Sequence, residues 1–402
     1  MSNSVSFIHA ADLHLDSPFQ GLTDIPNTMF SEVRNSTFTA LNNLVKTAIN
    51  KQVDFVLLVG DLFNNERQSL KAQVQLRTAF EQLGKHNIPV YMSYGNHDYI
   101  NGNIHPMIYP ENVHIFPNET ISFFTFEKEN QKIASIYGFS YENRAVTENK
   151  SIEYDVIDKT IPFHIATLHG SIFGNKDHDP YAPFKLQHVI EKHFDYWALG
   201  HIHKREIIAK LPPVVYPGNT QGRHRHEAGE KGCYYVTLSK TSTNLEFVPL
   251  QAIQFDSAII DVTNCESLQD VEEKIMETAG NQPIKKLIHL TLHGENEKMI
   301  AFENEGLLKE LIAIVNESLI KDDIWAYIYD YRLQIDDNSK IDYDDFFVGE
   351  VIQSLEDLEF ADVLEELYNH PRGRKFIEKI SNEEMKQKAK QFLLYELLKV
   401  GR

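Results

Sequence analysis

The chain has 402 residues, too many for one ordinary core, so two or three domains are expected. Its 42% hydrophobic content suits a soluble globular protein, no apolar run reaches the ~18 residues of a membrane span, and two cysteines make neither a disulfide framework nor a thiolate metal site. A formal net charge of -19 argues against nucleic-acid binding by bulk charge, yet the acidity lies mainly after residue 250, whereas 15 of the 18 histidines lie before it. These features predict a cytoplasmic protein with no membrane partner.

In chain order, VSFIHA (5–10) is a predicted buried strand, and 36–51 has apolar residues at helical spacing. VDFVLLV (53–59) is a second strand, 70–86 a second helix and IPVYMSY (88–94) a third strand. Residues 113–139 alternate like an antiparallel hairpin with a polar turn at 127–132. FHIATL (163–168) and YWALG (196–200) are further strands, and 214–248 alternates again. The pattern predicts an α/β fold with mixed β-sheets flanked by helices over residues 1–250. Residues 255–335 then read β-α-β-α-β, with one helix at 304–319, as a small α+β accessory domain spanning 251–338. An acidic linker-like stretch at 336–345 leads into a helical region, so that 339–402 forms a third unit. Its apolar stripe fits either a partner helix or its own domain equally well.

Each predicted strand of the first part ends in polar residues. Asp12 and His14 follow the first, Asp61 the second, and Asn96, His97 and Asp98 the third; His169 follows the fourth, and His201 and His203 the fifth. Ligands bind at the carboxyl ends of strands in open α/β sheets. Any one of these motifs alone is common by chance and reads as a solvated turn. All of them in this order, each after a strand, point to one metal site of carboxylate, imidazole and amide donors without thiolate. In an extended segment residues two apart face the same way, so Asp12 with His14, and His201 with His203, are expected to face the metal together.

DLH (12–14), GDLF (60–63), GNHD (95–98), HG (169–170) and GHIH (200–203) resemble the five motifs of calcineurin-like metallophosphoesterases. The stretches 12–22, 169–184 and 216–232 are more narrowly similar to the SbcD-type DNA-repair exonucleases. The resemblance implies a metallophosphoesterase sandwich, a capping domain and C-terminal helices. It implies that Asp12, His14 and His203 hold one divalent ion, that Asn96, His169 and His201 hold a second, and that Asp61 bridges them. Mn²⁺ is the leading ion, with Fe²⁺, Zn²⁺ or Mg²⁺ as alternatives. His97 would contact the scissile phosphate or the leaving oxygen, with Asp98 as its partner. DNA is the implied substrate and an SbcC-like coiled-coil ATPase the implied partner; a homodimer is compatible. Lys204, Arg205, Arg223 and Arg225 are candidate substrate contacts or, equally, solvated loop residues. One departure stands out: some of these nucleases have His after GDLF, where this chain has Asn64. The competing functions are a phosphodiesterase or phosphatase acting on nucleotides or phosphoproteins, and a non-catalytic scaffold.

Overall fold

The computed structural model describes residues 4–19, 22, 25–65, 67–102, 105–174, 181–280 and 284–335, with scattered positions between 350 and 393. The expected linker at 336–345 and nearly all of the helical region after it lie outside the described residues.

The first part runs β1 (Ser4–Ala10), α1 (Asn27–Asn50), β2 (Phe55–Val59), α2 (Leu70–Lys85), β3 (Val90–Ser93), β4 (Val113–Ile115), β5 (Ser122–Lys128), β6 (Gln131–Gly138) and β7 (Phe163–His169). It continues with α3 (Leu186–Ile190), β8 (Tyr196–Gly200), β9 (Glu206–Lys210), β10 (Pro213–Tyr216), β11 (Gly232–Ser239) and β12 (Thr243–Pro249). Two six-stranded sheets result, ordered β12-β11-β1-β2-β3-β4 and β5-β6-β7-β8-β10-β9. In the first, β1 to β4 are parallel and β11 and β12 add antiparallel on the β1 side; in the second, β6-β7-β8-β10 are parallel between antiparallel edge strands β5 and β9.

The period of two along each strand builds the sandwich. Phe7, Phe55, Leu57 and Val59 face inward and meet Ile136, Phe163, Ile165, Tyr196 and Ala198 of the opposite sheet. The alternate residues Ile8, Ala10, Val56 and Leu58 face outward, under α1 and α2. Trp197, Leu199, Ala166 and Leu168 do the same for the second sheet. Strands covered on both faces must be apolar at every position, which is why they read as continuous runs.

Beyond residue 250 come β13 (Gln254–Asp261), α4 (Leu268–Gly280), β14 (Lys286–Gly294), α5 (Glu297–Asn304), α6 (Leu307–Lys321) and β15 (Ala326–Ile335). The three strands are parallel, and the helices close their own core around Ile275, Leu290 and Val315. A second cluster joins Met29 and Val33 of α1 to Phe255, Leu287 and Tyr327 of this unit.

Four elements differ from the expectation. α1 begins at Asn27 rather than at residue 36, because Met29 and Val33 bury against the accessory sheet. The expected 113–139 hairpin is divided: β4 joins β3 in the first sheet, and only β5 and β6 pair as a hairpin in the second. The 214–248 stretch is likewise shared between β10 in one sheet and the β11–β12 hairpin in the other. Alternation reports a strand's covered face, not the sheet it joins. The helix expected at 304–319 is α6, starting after Gly306 takes a left-handed φ of 76°, and a further short helix, α5, precedes it.

Phe55 stacks on Phe7 at 5.1 Å and touches Tyr91 and Phe126. Phe55→Ala is expected to cost about 3–5 kcal/mol of stability. The midpoint of urea unfolding checks this, and an unchanged midpoint would contradict an inter-sheet core centred there.

Candidate metal centre

β1, β2 and β3 of one sheet and β7 and β8 of the other deliver their following loops to one edge of the sandwich. The first two loops run side by side: Asp12 N–H donates to Gly60 O (3.2 Å), His14 N–H to Asp61 O (3.0 Å) and Leu15 N–H to Leu62 O (2.9 Å). Asp12, His14, Asp61 and His201 have φ of 54°, 43°, 51° and 95°. The expectation of extended Asp12–His14 and His201–His203 segments is therefore corrected: left-handed turns, each costing roughly 1–2 kcal/mol, aim these side chains. A Cβ on Gly95 would lie 2.3 Å from Asp61 Oδ1 and 2.7 Å from His169 Nε2, so only glycine lets the third loop approach so closely.

The seven candidate ligands come together. Ligand atoms of Asp12, His14 and His203 lie within 4.8 Å of one another, as do those of Asp12, Asp61 and His169. Asp61 spans both groups, with Oδ2 3.8 Å from His14 Nε2 and Oδ1 3.4 Å from His169 Nε2. Asn96 Oδ1 is 3.0 Å from His169 Nε2, and the His201 ring lies 5.3 Å from that of His169. His201 N–H donates to both Asp12 oxygens.

The donor set fits two cations. His169 gives its Nδ1 proton to Val59 O at 3.0 Å, which leaves Nε2 and Asn96 Oδ1 facing each other as two acceptors unless a proton or a cation lies between them. His203 donates from Nδ1 to Glu227 at 2.7 Å, turning its Nε2 lone pair toward His14 Nε2 at 3.0 Å. Among the described residues, His14 Nδ1 is buried without a hydrogen-bond partner.

The electrostatics agree. Burial pushes the Asp12 carboxyl up to about 8, and the nearby Asp61 adds to the rise. Burial opposes ionisation of Asp61 too, yet His169 and His14 hold it well below the usual carboxylate range. Burial would lower His169, but Asp61 outweighs it and raises the imidazolium to about 9. Burial lowers His14 well below the usual range, and Arg223 adds to the shift; burial also lowers His203. Protons on Asp12 and His169 thus stand where divalent ions would bind.

His97 lies at the rim, its side chain 41% exposed, with Nε2 3.9 Å from Asp61 Oδ2. Asp98 is not its partner, which corrects the expected pairing: His97 Nδ1 donates instead to Asn64 O at 2.9 Å. Asp98 is buried and receives Gly95 N–H at 2.7 Å on one oxygen, and Leu62 N–H at 2.6 Å and Phe63 N–H at 3.3 Å on the other. Both oxygens are occupied by backbone, so its part is to clamp two loops.

The basic candidates separate. Arg223 donates to Glu227 at 3.0 Å and to Asn64 Oδ1 at 3.1 Å, beside the centre. Arg205 lies over the Phe247 ring and 4.0 Å from Glu230, Arg225 reaches Asp330 of β15 at 3.7 Å, and Lys204 is exposed. Sequence reasoning missed Glu227, which is 5% exposed and also accepts from Asn219. Burial opposes its ionisation, but His203, His224 and Arg223 hold it far below the usual range. A lone acid inside the RHRHE run was the available signal.

The model of the calcineurin-like phosphoesterase family matches residues 5–205. The chain is 37% identical over 410 residues to the uncharacterized metallophosphoesterase YhaO of Bacillus subtilis (strain 168), covering 100% of this chain and 99% of that protein. It is 27% identical over 293 residues to the DNA double-strand break repair protein Mre11 of Methanocaldococcus jannaschii, covering 69% of this chain and 75% of that one. The Mre11 protein of Thermoplasma acidophilum is 24% identical over 259 residues, covering 60% and 67%.

Two outcomes are expected. Metal affinity should rise with pH until Asp12 (about 8) and His169 (about 9) have lost their protons, because bound ions must displace them. Calorimetry in buffers of differing ionisation enthalpy should read proton release near neutrality that fades above about 9; proton-independent binding at neutrality contradicts the ligand set. Glu227→Gln should weaken metal binding about 10–100-fold by loosening the orientation of His203, as read by competition with a chelator.

Proposed function

Since the chain belongs to the calcineurin-like phosphoesterase family, whose reaction is metal-dependent phosphoester hydrolysis, we propose that it is a two-metal phosphodiester hydrolase that cuts DNA, as an exonuclease or endonuclease in repair. The observation that carries this reading is His97. Its Nδ1 proton is given to the Asn64 carbonyl, an acceptor only, so Nε2 is the nitrogen that exchanges a proton with substrate. The side chain that carries it is partly exposed at the rim, outside both ligand groups, with Nε2 3.9 Å from Asp61 Oδ2. When bound, two divalent ions supply an acidified water and neutralise phosphate charge. Asp12, His14, Asp61, Asn96, His169, His201 and His203 would hold them. Nitrogen and oxygen donors without thiolate favour Mn²⁺ as the loading ion, with Fe²⁺, Zn²⁺ and Mg²⁺ next.

A phosphate seated at the ions would meet the His97 ring from the open side. His97 Nε2 would exchange a proton with the departing oxygen, while the Asn64 carbonyl holds the ring in place through Nδ1. DNA as the substrate is supported by the relatives that bear a DNA double-strand break repair name and by Arg223 and Lys204 near the centre. The same reading gives the chain a coiled-coil ATPase partner, to be sought by co-purification.

His97→Ala should retain bound metal and lose about 10²–10⁴-fold in turnover. The assay uses Mn²⁺ with linear double-stranded DNA, a DNA hairpin and bis(p-nitrophenyl) phosphate. Full activity of the variant removes His97 from the chemistry. Cleavage of the small diester with no cleavage of DNA leaves a small-substrate phosphodiesterase.

A further inference from the structure

Next to His97 a cleft of about 510 Å³ opens, lined by Asn65, Arg67, Asn96, His97 and Arg144. We propose that this cleft is a subsite for the phosphates flanking the scissile phosphate in a nucleic-acid strand, with Arg67 and Arg144 as its two cationic contacts. The proposal rests on the phosphodiesterase reading and extends it to a side of the centre that no sequence motif marked.

Three observations support it. The first is continuity: Asn96 is a candidate ligand and His97 the proton-exchanging residue, so whatever fills the cleft is joined to what sits on the ions. At about 510 Å³ it is nucleotide-sized, well beyond a single phosphate.

The second is charge. Four other cations near the centre are already engaged, Arg223 with Glu227, Arg205 with Glu230, Arg225 with Asp330, and Lys231 with the His203 carbonyl at 3.1 Å, while exposed Lys204 does not line this cleft. Among the described residues, Arg67 and Arg144 form neither an ion pair nor a hydrogen bond, and both are exposed. In a chain of net charge -19, two free guanidinium groups converging on one cleft make a local anion site. A guanidinium presents a planar donor fork that matches two phosphate oxygens.

The third is anchoring. The Arg67 loop is tied to the site by the Asn64–His97 hydrogen bond and by Gln73 Nε2 donating to Gln68 O at 3.3 Å. The Arg144 loop is fastened on both sides: Ile100 N–H donates to Tyr141 O at 2.9 Å and Asn101 N–H to Glu142 O at 3.1 Å, while Ala182 N–H donates to Val146 O at 2.6 Å. Residues close to both arginines are thus held by backbone hydrogen bonds. A small diester has one phosphate, which the metal centre would hold once loaded, and offers these arginines nothing; a strand offers them its neighbouring phosphates.

The test compares the full-length chain with Arg67→Ala, Arg144→Ala, the double variant, and Arg67→Lys with Arg144→Lys. Binding of a fluorescein-labelled single-stranded oligonucleotide is measured by anisotropy across a salt series in EDTA, so that no cleavage intervenes. The ratio of kcat/KM on the oligonucleotide to that on bis(p-nitrophenyl) phosphate is then measured in Mn²⁺. Each Arg→Ala change should weaken binding and lower the log–log salt slope by about 0.7. The double variant should lose at least about tenfold in the strand-to-small-diester ratio. The Lys variants keep the charge and should keep the salt slope. Unchanged affinity and slope in the double variant overturn the subsite, even if the protein cuts DNA. Equal weakening by Ala and Lys with an unaltered slope also overturns it, as a packing effect. A wild-type protein that hydrolyses the small diester but neither binds nor cuts the oligonucleotide overturns the DNA reading, and the subsite with it.

Discussion

The Asp98 carboxylate is the fastening on which the centre depends. It is 1% exposed, and its oxygens take backbone N–H groups from Gly95 in the third loop and from Leu62 and Phe63 in the second. Burial pushes this carboxyl up to about 7, with Asp61 adding to the rise, and the backbone N–H groups that converge on it oppose the shift. The clamp fixes the loop of Asp61 against that of Asn96 and His97. The hydrogen bonds from Asp12, His14 and Leu15 then fasten the first loop to the second. Left-handed turns at Asp12, His14 and Asp61 would relax without such ties, each being worth roughly 1–2 kcal/mol of strain.

A second chain of contacts crosses the centre. His203 binds Glu227, Glu227 binds Arg223, Arg223 binds the Asn64 side chain, and the Asn64 carbonyl binds His97. A candidate metal ligand and His97 are thereby oriented by one continuous set of charged and polar groups. Asn64, which stands where some related nucleases have His, is a junction in this chain rather than a gap. Its side chain fixes Arg223 and its backbone fixes the His97 tautomer, two duties that depend on its place in the loop.

The accessory unit is tied to the catalytic part by side chains as well as by its apolar contact with α1. Glu32 of α1 pairs with Lys285 and accepts from Trp325 at 3.1 Å, and Arg225 reaches Asp330. Acidity concentrated beyond residue 250 leaves the edge carrying the metal centre less burdened with negative charge. Local charge rather than net charge decides where a phosphate strand can approach.

From the sequence alone, the strand-end motifs and their order were legible because they are local: each is a few residues long and follows an apolar run. The two-faced burial of β2, β7 and β8 was legible for the same reason. Other features depend on groups far apart in the chain, and only the tertiary structure decided them. The division of 113–139 and of 214–248 between two sheets is one case. Asp98 turned from a partner of His97 into a clamp because the amides of Leu62 and Phe63 lie 36 and 35 residues before it. Glu227 lies 24 residues from His203, in a loop with no periodic signal. Arg67 and Arg144 belong to no motif and are brought together only as lining residues of one cleft. Sequence determined which chemistry the strand ends could offer; long-range packing decided which groups face it, because orientation at a buried site is set by partners that no local pattern encodes.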